Sequence, residues 1–169
     1  MLFKQIPSEI QKVAVFVNST LEEVVQICRN FKFDYAQLHG DESAEYCENL
    51  KKEGIAIIKA FPVDEDFDFT KTNSYKTSCK FFLFDTKTIQ YGGSGMQFNW
   101  EVLNNYDNEI PFFLSGGIGP ENFEEALKLK GLNIEALDLN SKFEIEPGRK
   151  DEIKLSDFAF SYVGRRTQN

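Results

Sequence analysis

Cysteine, histidine and long apolar runs are scarce in this 169-residue sequence, which has three cysteines and one histidine. No apolar stretch approaches the roughly 18 residues that a membrane span needs, and the N-terminus shows no basic and apolar signal segment. An odd number of cysteines without metal-ligand spacing indicates reduced thiols in a cytosolic protein. We therefore expect a cytoplasmic protein with neither a membrane anchor nor a metal site.

Basic residues are also in the minority, with 19 Lys and Arg against 27 Asp and Glu and a net charge of −8. This balance argues against nucleic acids and anionic membranes as partners, because both require a basic face. A composition that is 41% hydrophobic and 14% aromatic excludes intrinsic disorder. We expect one domain spanning residues 1–169, although a closed α/β barrel typically takes about 250 residues and rarely fewer than about 200.

Short strand-like runs alternate with amphipathic stretches along the chain. The run Val13–Val17 is almost wholly apolar, which is typical of a strand buried on both faces. The polar residues Asn18–Thr20 then predict the cap of a helix over Leu21–Phe31. Further strands are predicted at Tyr35–His39, Ile55–Phe61, Phe81–Phe84, Pro111–Leu114 and Ile134–Leu139, and further helices at Ser43–Lys52, from Trp100, near Pro120–Asn122 and at Lys150–Tyr162. About six strand–helix units predict an α/β fold with a parallel sheet.

Two arrangements of such a sheet are possible, an open doubly wound sheet and a barrel. The first strand is not followed by a Gly-x-Gly-x-x-Gly turn, which weakens the dinucleotide-binding version. Chemically versatile residues stand instead at the ends of successive strands, where a barrel collects its reactive groups. These residues are His39, Lys59, Asp85, Gly116, Gly117, Asn140 and Ser141. We therefore favour the TIM (β/α)8-barrel class.

Asp85 is the first candidate for catalysis, since it ends the apolar strand Phe81–Phe84. A carboxyl group at the rim of an apolar barrel can have a raised pKa, which suits a general acid near neutral pH. An aspartate at a strand end can equally serve to accept hydrogen bonds from turn amides. The residues alone leave both interpretations open.

Two loops are candidates for binding a phosphate. Ser115-Gly116-Gly117 follows one strand and Asn140-Ser141-Lys142 follows the next. In barrels the loops after the last two strands commonly hold phosphate, and glycines let backbone N–H groups approach its oxygens. The alternative is a pair of tight turns that contain small residues.

Three more polar residues are possible lining residues of a substrate site. Gln37 and His39 are two residues apart on one strand, so their side chains point the same way. Lys59 ends another strand and could neutralise an anion, although a surface lysine is equally plausible there. The cysteines Cys28, Cys47 and Cys79 are expected to be buried or half-buried thiols without a catalytic role.

In this order and spacing, these segments resemble phosphoribosylanthranilate isomerases of tryptophan biosynthesis. The resemblance runs from Val13 to about Asp151 and is most specific in two motifs, Gln37-Leu-His-Gly-Asp-Glu42 and Ser115-Gly-Gly-Ile-x-Pro-Glu-Asn122. The other matching segments are Val13–Asn18, Ile58–Ala60, Leu83–Thr86, Gly92–Gly95 with Phe98–Trp100, and Leu137–Ser141 with Phe143–Glu144 and Pro147–Gly148.

The resemblance implies an Amadori rearrangement of N-(5'-phosphoribosyl)anthranilate to its 1-deoxyribulose 5-phosphate isomer, without cofactor or metal. It makes Asp85 the general acid for the ribose ring oxygen. Gly93 and Gly95, in the matching segment Gly92–Gly95, are further possible lining residues of the substrate site. It assigns the phosphate to Gly116, Gly117, Asn140 and Ser141, with Lys142 at a position where glycine is usual. Indole-glycerol-phosphate synthases and pentose-phosphate epimerases share phosphate loops of this kind, but not the Gln-Leu-His-Gly-Asp-Glu segment.

Two family motifs do not occur in this sequence: Lys-x-Cys-Gly, whose cysteine is the general base, and Lys-Ser-x-Arg, whose arginine binds the anthranilate carboxylate. The first strand here corresponds to the third strand of the family. We therefore expect an N-terminally incomplete barrel of about six units, in which the first two strands are missing and the chain alone has little or no activity. A non-catalytic fragment that binds phosphate ligands or assembles with another chain is the alternative. A complete barrel is expected to be monomeric, whereas open sheet edges favour self-association.

Overall fold

A computed structural model describes residues 6–86 and 98–166 of the chain. The strands that form the main sheet are β1 (Val13–Phe16), β2 (Tyr35–Leu38), β3 (Ile57–Val63), β4 (Phe81–Thr86), β5 (Phe112–Leu114) and β6 (Ile134–Leu137). The helices are α1 (Leu21–Phe31), α2 (Ala44–Lys52), α3 (Phe123–Leu127) and α4 (Glu152–Arg166). Short 3-10 helices cover Phe69–Tyr75, Trp100–Asn105 and Ser141–Phe143, and a small hairpin joins β7 (Glu144–Glu146) to β8 (Arg149–Lys150).

The six strands of the main sheet are parallel and lie in the order of the sequence, from β1 to β6. A strand order without reversal is that of a β/α barrel and differs from a doubly wound sheet, which has a switch point. The predicted α/β class and the barrel arrangement of its units are confirmed. All carboxyl ends of these strands therefore lie along one edge of the sheet.

Local sequence explains where the helices begin. The Thr20 hydroxyl accepts a hydrogen bond from the Glu23 amide, and the Glu23 carboxylate accepts one from the Thr20 amide. This reciprocal pair is a capping box, and it confirms the helix start expected after Asn18–Thr20. Helix α4 begins two residues later than expected, at Glu152, because the unforeseen hairpin of β7 and β8 uses Arg149 and Lys150.

The sheet buries its two faces unequally. The helix-facing side carries the larger core, in which Phe82, Phe84, Phe112 and Tyr106 lie among the buried aromatic side chains. The opposite, inner side carries a smaller buried cluster formed by Tyr35, Ile58, Ala60, Phe81 and Leu83. Tyr35 and Phe81 pack edge-on, with ring centroids 5.6 Å apart. Side chains alternate between the two faces along each strand, so a polar residue near a strand end lies on the same side as the residue two positions before it.

The expectation that the first strand is buried on both faces is wrong. Ala14 and Phe16 lie in the core, whereas Val13 and Val15 keep 36% and 59% of their surface exposed. The reason is that β1 is an edge strand of the described sheet, so its inner-side residues have a neighbour on one flank only.

Candidate active site

Four strands bring polar side chains to the carboxyl edge of the sheet. His39 follows β2, Asp85 lies near the end of β4, Ser115 follows β5 and Asp138 follows β6. Along their strands Tyr35, Leu83 and Phe113 belong to or pack against the inner cluster. Because side chains two residues apart share a face, His39, Asp85 and Ser115 point to the inner side as well.

Asp85 and His39 form the centre of this group. His39 Nε2 lies 3.4 Å from Asp85 Oδ2, and the two side chains are 33% and 27% exposed. Gln37 is buried, and its Nε2 atom lies 3.2 Å from His39 Nδ1. Asp85 Oδ1 also accepts the amide of Thr86 at 2.8 Å. The aspartate thus accepts a turn amide and also presents its second oxygen to the imidazole, so the two interpretations of Asp85 are compatible.

Asp138 is a site residue that our sequence reasoning did not single out. Ser115 Oγ donates to Asp138 Oδ2 at 3.0 Å. Burial raises the pKa of Asp138, and the nearby charge of Asp85 raises it further, while the Ser115 hydrogen bond and His39 oppose the shift. Asp138 therefore adds a carboxyl group whose own pKa is raised, close enough to Asp85 to interact with it electrostatically. Its sequence signal was a charged residue directly after an apolar strand, the same signal that identified Asp85.

Lys59 does not reach the inner side, where a substrate-lining role would place it. Its neighbours Ile58 and Ala60 belong to the inner cluster, so Lys59 faces the helices. The ammonium group is buried and lies 3.1 Å from the Glu42 carboxylate. It is also 5.8 Å from the centre of the Phe61 ring. Neither of the two possibilities for Lys59 is found, because strand alternation directs its side chain away from the inner side and the residue is buried, not a surface lysine.

Both phosphate-candidate glycines of the loop after β5 adopt a left-handed backbone conformation. Gly116 and Gly117 have φ angles of +93° and +66°. The side chain of Asn122 holds this loop, because it donates to the Gly117 carbonyl at 3.0 Å and accepts the Gly119 amide at 2.8 Å. Asn122 thereby stabilises the loop and makes no side-chain cap at the start of α3.

The loop after β6 carries the three remaining phosphate candidates. Asn140 accepts a hydrogen bond from Lys150, and Ser141 opens a 3-10 helix. The Lys142 ammonium lies 3.3 Å from the Glu121 carboxylate in an exposed ion pair, 38% and 57% exposed. The charge of Lys142 is therefore shared with Glu121 and is directed toward the neighbouring loop after β5.

Gly116 gives a direct test of the loop after β5. An added Cβ at Gly116 would overlap the Thr86 hydroxyl and lie 2.9 Å from the Thr86 nitrogen. We expect Gly116→Ala to lower the free energy of unfolding by the cost of placing alanine at a positive φ and by about 1–3 kcal/mol more for the overlap with Thr86. Gly131→Ala is the matched control, since Gly131 has a φ of +80° and no atom near its Cβ position. Equal urea midpoints of the two variants would contradict this packing argument.

The remaining sequence candidates lie elsewhere. Cys28, Cys47 and Cys79 are free and buried in the helix-facing core, which confirms the expectation of buried thiols. Burial raises the pKa of the Cys28 thiol. Gly93 and Gly95 lie outside the described residues, so their expected place in the substrate lining is untested. Within the described ranges, no group of three His, Cys, Asp or Glu residues could hold a metal ion.

Comparison with known proteins identifies the family. The model of the N-(5'-phosphoribosyl)anthranilate isomerase family matches residues 2–160. The chain belongs to this isomerase family. An isomerase of this name from Parabacteroides distasonis is 49% identical over 148 residues, which are 88% of this chain and 67% of that protein. A relative of the same name from Petrotoga mobilis is 40% identical over 149 residues, covering 88% and 70%.

Solved structures of the isomerase family agree with this assignment. The phosphoribosyl anthranilate isomerase of Thermotoga maritima superposes with a TM-score of 0.84 at 32% identity, covering 96% of this chain and 78% of that one. A further family structure, with a TM-score of 0.79, 27% identity and coverages of 96% and 76%, holds reduced 1-(o-carboxyphenylamino)-1-deoxyribulose 5-phosphate. The relatives match most of this chain, and the chain spans 67% to 78% of their own lengths.

Proposed function

We propose that this chain binds N-(5'-phosphoribosyl)anthranilate and acts in its Amadori rearrangement, with Asp85 as the general acid. The observation that carries this proposal is the position of Asp85, 3.4 Å from His39 at the same sheet edge as the two phosphate-loop candidates. Membership of the isomerase family supports the substrate class. Neither a cofactor nor a metal is needed, since the reaction moves hydrogen and electrons within one molecule.

The first step of the proposed reaction opens the ribose ring. Asp85 donates a proton to the ring oxygen, the bond from C1 to that oxygen breaks, and the anthranilate nitrogen supplies the electron pair that forms a C1=N bond. A base then takes the proton from C2, and tautomerisation leaves a ketone at C2 and an amine on C1. C1 is reduced as C2 is oxidised, so the reaction needs no external oxidant.

Two neighbours of Asp85 are suited to support its role. Asp138, whose pKa is raised by burial and by the charge of Asp85, can share a proton within the group or bind a ribose hydroxyl. The His39 imidazole can orient the Asp85 carboxyl group, and Gln37 in turn contacts the imidazole. These roles follow the general pattern in which neighbouring titratable groups acquire separate tasks.

The substrate phosphate is assigned to the loops after β5 and β6. The residues proposed to bind it are Gly116, Gly117, Asn140, Ser141 and Lys142. Positive φ angles at both glycines support this assignment, because they let backbone N–H groups turn toward an anion. An acidic chain with a net charge of −8 needs such a local device to bind a phosphate.

Turnover of the purified 169-residue chain tests the proposed function. All three thiols lie in the helix-facing core, and Cys79 precedes β4 at the end opposite Asp85. Since none can serve as the general base of the family, we expect a kcat/KM about 10²–10⁴-fold below that of the Parabacteroides distasonis relative in the same assay. Detectable product confirms the activity, whereas a rate within tenfold of the relative contradicts the argument about the base. No product at all, together with saturable phosphate binding, would favour the non-catalytic alternative.

Self-association through β1 is a further part of the proposal. The exposed Val13 and Val15 side chains lie on an edge strand of the described sheet. A solved Thermotoga maritima isomerase is described as dimeric, so assemblies occur in the family. Light scattering on the purified chain measures its oligomeric state directly.

Among the described residues no helix has the length and apolarity needed to cross a bilayer.

A further inference from the structure

The Lys59–Glu42 ion pair occupies a central place behind the candidate active site. The Lys59 and Glu42 side chains are 4% and 2% exposed, and their charged atoms are 3.1 Å apart. A buried ion pair is weak evidence for stability, because desolvation offsets most of the attraction. Its other contacts therefore decide what it contributes.

Those contacts converge on the backbone around His39. Lys59 Nζ donates to the Leu38 carbonyl at 3.2 Å and to the Gly40 carbonyl at 2.7 Å. Glu42 Oε2 accepts the Gly40 amide at 3.0 Å. The Leu38 carbonyl and the Gly40 amide belong to the two peptide groups that flank the His39 Cα atom. The ion pair thus holds both peptide groups that fix the backbone dihedral angles of His39.

Two more contacts join this arrangement to the neighbouring strand. Glu42 Oε1 accepts the amide of Asn18 at 2.8 Å, and the His39 amide donates to the Phe16 carbonyl at 2.8 Å. There is no space for a side chain at Gly40, since an added Cβ would overlap the Asn18 side chain and lie 2.9 Å from the Asn18 nitrogen. The loops after β1 and β2 are therefore joined to strand β3 through one buried carboxylate and one buried ammonium group.

We propose that the Lys59–Glu42 ion pair is a positioning unit for His39, which it holds within reach of Asp85. Lys59 faces the helices and Glu42 is buried against it, so both act through the His39 backbone and not through contact with substrate. The catalytic consequence rests on the proposed function, whereas the placement of the imidazole does not. A misplacement of the order of 1 Å can cost roughly 10²-fold in rate.

The test removes both charges at once, in the double variant Lys59→Met with Glu42→Leu. His39 is the only histidine of the chain, so its imidazole resonances are unambiguous in an NMR spectrum. We expect these resonances to shift and broaden in the double variant. The matched control is Arg29→Met with Glu53→Leu, which removes a pair 58% and 44% exposed on α1 and after α2 and leaves His39 unchanged.

A kinetic measurement separates positioning from a merely structural role. We expect kcat to fall roughly 10- to 100-fold, while the affinity for reduced 1-(o-carboxyphenylamino)-1-deoxyribulose 5-phosphate stays within about threefold. If the double variant does not fold, Glu42→Gln replaces it. The glutamine amide keeps the shape of the carboxylate and one oxygen that can accept the backbone amide of Gly40 or of Asn18. A folded variant with unchanged His39 resonances overturns the proposal. A chain without turnover refutes the proposed function alone, because the His39 spectrum still decides the positioning role.

Discussion

Replacing Lys59 with methionine is expected to lower the free energy of unfolding by about 3–5 kcal/mol. The substitution leaves the Glu42 carboxylate buried beside the amides of Asn18 and Gly40 without its counter-charge. Since small domains are stable by only about 5–15 kcal/mol, this loss is a large part of the total. Urea denaturation followed by circular dichroism measures it. Arg29→Met is the control, because its ion pair with Glu53 is exposed and worth at most about 1 kcal/mol.

The double variant Lys59→Met with Glu42→Leu is expected to recover much of that stability, because no buried charge then lacks a partner. It should also change the pH dependence. Burial raises the pKa of Glu42, but the Asn18 amide and Lys59 outweigh this effect and lower it overall. Glu42 therefore stabilises the fold above its unfolded-state pKa, and this contribution is lost as the pH falls through the folded-state value. A double variant as unstable as Lys59→Met at neutral pH would contradict this account.

The largest functional effect is expected from Asp85→Asn, which should lower kcat by about 10²–10⁴-fold. The amide keeps the shape of the side chain and the acceptor for the Thr86 amide, but it cannot donate the proton that opens the ribose ring. Affinity for the reduced product analogue is expected to stay within a few-fold, since that ligand has no ring to open. Single-turnover assays at high protein concentration measure the rate.

Asp66→Asn is the matched control for Asp85→Asn. It makes the same chemical change in an exposed loop on the chain segment after β3. We expect the Asp66 variant to keep the turnover of the unchanged chain. Equal rates for the Asp85 and Asp66 variants would show that Asp85 is not the acid.

The sequence predicted the sheet well because its signals are local. An apolar run followed by a polar cap identifies a strand and a helix start, as at Val13–Thr20, where the capping box of Thr20 is found. The burial of β1 was predicted wrongly because the sequence of a strand does not show how many neighbours the strand has. Val13 and Val15 are apolar, yet they lie at an edge of the described sheet.

The candidate site was predicted only in part, because the sequence shows which residue types stand at strand ends but does not show their surroundings in the folded chain. Residue type and a position at a strand end were sufficient to name Asp85 and His39 as site candidates. The structure brings these two side chains within 3.4 Å of each other. The same two features were insufficient for Lys59, because the side of the sheet depends on alternation along β3 and not on residue type. Asp138 was passed over because its raised pKa arises from burial and from the nearby charge of Asp85, and both are properties of the folded chain.

The proposed function requires the Asp85 group and the glycine loop after β5 to form one substrate site. An NMR titration of the labelled chain with the reduced product analogue tests it most directly. We expect the resonances of the His39 imidazole and of the Gly116 and Gly117 amides to shift together and to saturate at the same ligand concentration. Shifts confined to one of the two groups, or saturation at clearly different concentrations, would contradict it.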